Sequence, residues 1–211
     1  LADQQPLRRR RRHVADQFGQ RTLKRLLDLQ PGADKRLIGS ALTFDQARGC
    51  ALMAAPLQPV EEVLNHAQLE YILGVLAEAF PHIILNLPPE LNEMTTAALR
   101  LARNVVLVVS EDPSDLVAVG ERLQRFREIG LSGEPLIVLN RTRPHGVSYE
   151  EVMEAVNRPL TANIPYEPAQ VRALTEGVPL VQSQPDSLFS QAVKQLASQL
   201  WPSLQPGRLK L

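Results

Sequence analysis

Short apolar runs rich in Val, Ile and Leu alternate along this chain with longer segments in which apolar residues recur at helical spacing. The runs at 50–55 (CALMAA), 82–87 (HIILNL), 104–110 (NVVLVVS), 135–140 (PLIVLN) and 160–165 (LTANIP) read as strands. Helices are expected near 18–31, 66–79, 93–102, 114–129, 149–157 and 187–200. The alternation is that of βαβ units, and the middle strands are apolar at consecutive positions, so both of their faces need cover. The predicted fold class is therefore α/β, a three-layer α/β/α sandwich around a mainly parallel sheet. Asp112-Pro113 supplies a capping side chain ahead of a proline suited to the first helical position, and Gly130 ends the helix that follows. Ser110, Glu111 and Asp112 are accordingly expected to serve that helix start rather than catalysis.

Composition bounds the organisation. With 211 residues and 44% hydrophobic content the chain can bury a core of its own. Residues 15–200 are expected to form a single domain, 1–14 a basic arm without fixed order, and 201–211 a tail whose Trp201 packs on the body. The formal net charge of zero hides an asymmetry: ten of the 23 Lys and Arg, but only four of the 23 acids, fall within the first 36 residues. Arg8, Arg9, Arg10, Arg11 and Arg12 form a candidate anion-binding arm for nucleic acid or an anionic membrane face. Without an interleaved aromatic for base stacking, a solvated terminus is the preferred reading. The same arginines stand where a buried front strand would need apolar residues, so the sheet is expected to lack that strand.

No apolar run approaches the roughly 18–20 residues that cross a bilayer, and no secretory signal follows the first charges. A cytoplasmic location is expected, peripheral to the inner membrane only through partners. Cys50 is the single cysteine; it excludes an internal disulfide and is expected to be a small buried residue.

Candidate chemistry centres on Asn86. An apolar run, Ile83-Ile84-Leu85, carries this polar residue out at the strand's end. In P-loop ATPases an aspartate in that place helps to hold magnesium beside the transferred phosphate. A neutral amide keeps the shape and loses the charge that a hard cation favours. None of the eleven glycines opens a phosphate-cradling loop of the form GxxxxGK[ST] or GxGxxG. The four histidines, His13, His66, His82 and His145, are scattered without ligand spacing, and His82 is expected to be a hydrogen-bonded boundary residue. Asn140-Arg141 ends a buried strand, where an amide with both donor and acceptor can read a purine edge; on spacing alone a turn-forming Asn is favoured.

Four stretches then resemble a known family: LLDLQPG (26–32), MAAPLQPVEEV (53–63), HIILNLPPELNEMTTAAL (82–99) and PLIVLNR (135–141). They are similar to the MinD/ParA-like P-loop ATPases, and within these to the CpaE/TadZ branch that places Tad/Flp pilus machinery. The LPPELNE element is the most specific piece, and IPYEPAQVRALTEGVPLV (164–181) is similar to the family's closing segment. The resemblance implies a MinD/ParA-like sandwich whose front strand and P-loop have no counterpart here. Of the segment that carries the family's acidic residues, only Gln17-Phe18-Gly19 is kept, and the metal-site aspartate falls on Asn86. The adenine-side Asn matches Asn140, followed by Arg141, as a vestigial base pocket. No catalytic residue, metal site or cofactor is expected; ATP or ADP without magnesium is the residual possibility. Pro88, Pro89, Leu91, Asn92 and Glu93 are the candidate partner interface, and any homodimer is expected to form independently of nucleotide.

Three functions are thus carried forward. The first is a non-catalytic scaffold or localisation factor for pilus assembly or secretion machinery. The second is a fragment of a working CpaE-like ATPase whose P-loop lies upstream. The third is a ParA-type partitioning factor that binds DNA through the Arg arm.

Overall fold

The computed structural model describes residues 34–45, 49–54, 64–131, 133–143, 146–147 and 149–201, together with Leu26 and Gly32. The Arg8–Arg12 arm, His13, His145, the bulk of the helix expected at 18–31 and the end of the tail lie outside these residues. Two compact units divide the chain, Leu1–Leu101 and Ala102–Leu211.

In the first unit a short helix, α1 (Lys35–Ser40), starts where the Asp34 carboxylate accepts the Arg36 amide at 2.9 Å. It leads into β1 (Thr43–Asp45) and β2 (Cys50–Leu52), which pair antiparallel with Thr43 opposite Leu52. Here the expectation for 50–55 is corrected over its first three residues, because Cys50–Leu52 forms half of a small antiparallel hairpin. Gly49, at φ 63°, provides the left-handed residue of the turn. Pairing across three residues leaves Cys50 exposed, which overturns its reading as a buried core residue.

Helix α2 (His66–Ala79) has the bounds that its periodicity predicts. It opens with a reciprocal capping box: the Asn65 side chain accepts the Gln68 amide at 2.9 Å, and the Gln68 side chain accepts the Asn65 amide at 3.0 Å. With α3 (Glu93–Leu101) it closes a core around Leu26, Ile38, Leu64, Ile72, Ala97 and Ala98.

The second sequence expectation to change is the strand at 82–87. Among the described residues these positions join no ladder. Leu85 and Leu87 rest against the core, while Ile84 is 77% exposed. An apolar run marks strand propensity, yet a strand exists only where a second backbone takes its hydrogen bonds.

The second unit holds the parallel sheet. β3 (Val106–Val109), β4 (Leu136–Thr142) and β5 (Ala162–Pro165) lie in the order β3-β4-β5, with Val106 opposite Leu136 and Val138 opposite Ala162. The central strand carries a consecutive buried run, Ile137-Val138-Leu139, as a strand covered on both faces should. β3 departs from that expectation, since Val108 is 58% exposed. The helices are α4 (Pro113–Glu128), α5 (Tyr149–Val156), α6 (Ala169–Glu176), α7 (Leu180–Ser183) and α8 (Leu188–Leu200). Of these, α4 packs on β3 and α8 on β5. Helices α6 and α7 were not expected from periodicity. The α8 helix ends at Trp201, which is half-buried and donates its backbone N–H to the Ala197 carbonyl at 2.9 Å.

Candidate functional site

Three parallel strands bring three loops to one edge. Beyond β3 come Ser110, Glu111 and Asp112; β4 ends in Asn140, Arg141 and Thr142, followed by Arg143; beyond β5 come Tyr166 and Glu167. This carboxyl edge is where ligands meet open parallel sheets.

Ser110 and Asp112 serve the start of α4, as the sequence predicts. The Asp112 carboxylate accepts the Ser114 amide at 2.9 Å and the Ser114 hydroxyl at 2.6 Å. The Ser114 hydroxyl first, and its amide second, hold the Asp112 carboxyl below its ordinary pKa. The Ser110 hydroxyl donates to Asp115 at 2.5 Å and accepts the Asp112 amide at 3.2 Å.

Glu111 behaves differently, and sequence reasoning missed its role. Its half-buried carboxylate turns away from α4 and accepts the Arg143 amide, at 3.1 and 3.3 Å to its two oxygens. Arg143 in turn places its guanidinium 5.8 Å from the centroid of the Tyr166 ring, a cation–π distance. The Tyr166 amide donates to the Thr142 carbonyl at 2.8 Å, which fixes the ring beside the end of β4. Space around Glu111 is tight, since a β-carbon at Gly146 would lie 2.5 Å from its carboxylate oxygens. Glu111, Arg143, Gly146 and Tyr166 therefore form one locked cluster. Its only sequence signals are an acid after one strand and a glycine after another, 35 positions apart.

Asn140 and Arg141 lie at a break in the ladder. Asn140 is half-buried opposite Ile164, and a register shift follows between Asn140 and Thr142. Arg141 absorbs the shift at φ 66° and is exposed. A left-handed arginine is strained backbone, and it turns its side chain off the regular alternation of the strand. The edge thus offers an amide, two guanidinium groups and an aromatic face, a set suited to holding a planar or anionic group. Two shallow depressions lie elsewhere. One of about 240 Å³ is lined by Leu123, Phe126, Glu134 and Arg158, the other of about 270 Å³ by Leu160, Asn163 and Gln195.

In the first unit Asn86 is exposed, while Pro88, Pro89 and Glu93 are exposed and Leu91 is half-buried. Asn92 caps α3: its side chain accepts the Thr95 amide at 2.9 Å, and its own amide donates to the Thr95 hydroxyl at 2.8 Å. The candidate interface residues thus lead into a helix start that the Asn92 and Thr95 side chains cap, and the Asn92 side chain is committed to it. Asn86 brings a neutral amide to the position that the resemblance gives to a metal-holding carboxylate.

No protein-family model matches the sequence. Among curated proteins the chain is similar to the septum site-determining protein MinD of Synechocystis, 24% identical over 199 residues that cover 87% of this chain and 74% of MinD. It is also similar to an iron–sulfur cluster carrier protein of Mycobacterium tuberculosis, 27% identical over 192 residues that cover 82% of this chain and 48% of the carrier. Among solved structures it superposes on a ParA family ATPase from Chlorobium tepidum with TM-score 0.72 at 18% identity, covering 88% of this chain and 80% of that one. MinD from Aquifex aeolicus gives TM-score 0.70 at 18% identity, with 92% and 82% covered.

The fold is MinD/ParA-like. Sequence and structural likeness both support that superfamily, reached first from the LPPELNE and PLIVLNR stretches. A MinD/ParA-like sheet also accounts for the position of the Asn140–Tyr166 edge at the carboxyl ends of parallel strands. The chain spans about half the length of the iron–sulfur carrier. Its single cysteine does not by itself supply the set of thiolates that holds such clusters. Among the described residues no helix is long and apolar enough to cross a membrane.

Proposed function

We propose that this chain is a non-catalytic MinD/ParA-like protein that acts as an assembly or positioning scaffold, of the CpaE/TadZ kind, for pilus or secretion machinery. The observation that carries the reading is Asn86. Phosphoryl transfer depends on fixed charge around the metal and the transferred group, and a neutral amide withdraws part of it. What remains is a fold with a capped, exposed LPPELNE surface and a cationic, aromatic sheet edge. Protein partnership is supported by a structural neighbour, the MinC:MinD cell division complex of Aquifex aeolicus, which matches with TM-score 0.71 at 18% identity. Pro88, Pro89, Leu91 and Glu93 are the residues we assign to partner contact, with Asn92 holding their loop. Self-association, where it occurs, is independent of ATP.

A second reading is favoured by one observation. The match covers 74% of MinD, so a working ATPase could place its phosphate loop on a portion that this chain does not represent. Disruption of the gene separates pilus scaffolding from other roles. The scaffold reading expects loss of surface pili, restored by the chain with Asn86 intact and equally by Asn86→Ala. Normal piliation after disruption, or rescue that requires an ATP-hydrolysing partner chain carrying the phosphate loop, overturns it.

A further inference from the structure

The loops that follow β3, β4 and β5 are joined by contacts of unequal strength, and the inequality sets which of them opens first. One contact holds main chain. The Glu111 carboxylate accepts the Arg143 N–H, with its two oxygens at 3.1 and 3.3 Å from the nitrogen. The Arg143 carbonyl accepts the Gly146 N–H at 3.0 Å, which sets the glycine against the same carboxylate, where a β-carbon would lie 2.5 Å from its oxygens. The other contact holds only a side chain. It is the Arg143 guanidinium over the Tyr166 ring, 5.8 Å from the centroid.

A hydrogen bond to a charged acceptor shifts an equilibrium about tenfold or more, whereas a cation–π contact in water shifts it only about two- to fivefold. Here the weaker figure applies to the ring contact, since Tyr166 is 40% exposed and Arg143 is exposed. The guanidinium therefore leaves the ring before the Arg143 main chain leaves Glu111. Tyr166 keeps its place meanwhile, because its N–H is held by the Thr142 carbonyl at 2.8 Å.

We propose that Arg143 is a self-occluding gate at the carboxyl edge of the sheet: its guanidinium covers the Tyr166 ring face, and a planar group stacks there only after the side chain swings away. Glu111 is the positioning residue of this gate, since it pins the main chain from which the arginine swings and to which it returns. Gly146 belongs to the device as well. A methyl group there would push the Glu111 carboxylate off the Arg143 N–H. The inference concerns how the ring is covered and is independent of whether the chain is a scaffold or a catalyst.

Photo-induced nuclear polarisation of the full 211-residue chain tests this, with riboflavin as a neutral, planar probe that must touch a tyrosine ring to polarise its protons. Expected for the wild type is a weak Tyr166 signal, rising about two- to fivefold in Arg143→Ala. Arg143→Lys, which keeps a cation over the ring, should stay near wild type. Glu111→Ala and Gly146→Ala should raise the Tyr166 signal although neither residue covers the ring, while Glu111→Gln, which retains an acceptor for the Arg143 N–H, should not. A Tyr166 signal as strong in the wild type as in Arg143→Ala overturns the gate. So does a wild-type signal in both Glu111→Ala and Gly146→Ala, because Glu111 then does not place the arginine. An equal rise at Tyr71 in these variants also overturns it, by showing general loosening instead of local uncovering.

Discussion

Thr95 is the buried hinge of the LPPELNE element, and replacing it by valine isolates the work of one hydroxyl group. The side chain is 1% exposed. Its hydroxyl donates to the Glu90 carbonyl at 2.8 Å and accepts the Asn92 amide at 2.8 Å, while the Thr95 amide separately donates to the Asn92 side chain at 2.9 Å. Thr95→Val keeps the β-branched shape and the last of these bonds but removes the other two. A net hydrogen bond contributes about 1 kcal/mol, so the loss is roughly 1–2 kcal/mol. The lower half of that range applies, because Glu90 and Asn92 are exposed and water can replace part of the lost bonding. Thr95→Ser keeps the hydroxyl and loses one methyl group, about 0.8 kcal/mol of buried carbon. Urea unfolding gives the stability of each variant, and amide exchange in α3 locates the change. If valine is as stable as threonine, or α3 exchanges no faster in the valine variant, the hydroxyl does not hold this loop and the reasoning fails.

Other substitutions probe the second unit. Leu139→Ala, at a position 1% exposed in the central strand, should cost about 2–5 kcal/mol in urea unfolding. Arg141 sits at φ 66°, so Arg141→Gly should be neutral or stabilising by up to about 1 kcal/mol while Arg141→Val destabilises; the reverse order in thermal melts would show that the bulge is not strained. Asp112 has a depressed pKa, so its contribution is present above the ordinary value of 3.8 and is lost as pH falls through the lower folded value. Wild type should therefore lose stability relative to Asp112→Asn as pH drops from about 5 to about 2, measured by urea midpoints across that range.

How much of this could be read from the sequence depends on how local the determining physics is. The bounds of α2 follow from its apolar spacing, and the start of α4 from Asp112-Pro113, because periodicity and capping act within a few residues. β4 was legible as 135–140, yet its continuation through Arg141 and Thr142 was not, since a register shift is fixed by the neighbouring strand. The hairpin of Thr43–Asp45 left no signal: three residues with Phe44 58% exposed do not make an amphipathic pattern. Exposure of Cys50 follows from that same unseen hairpin. Asn86 drew notice through residue type alone. Glu111 did not, because its partners, Arg143 and Gly146, arrive from another loop and no nearby pattern foretells them.

Calorimetric titration of the chain with ATP, with and without magnesium, addresses the neutral amide at Asn86 most directly. Expected is heat that magnesium does not change, with no phosphate released. A magnesium-dependent binding isotherm accompanied by turnover would contradict a scaffold without catalysis.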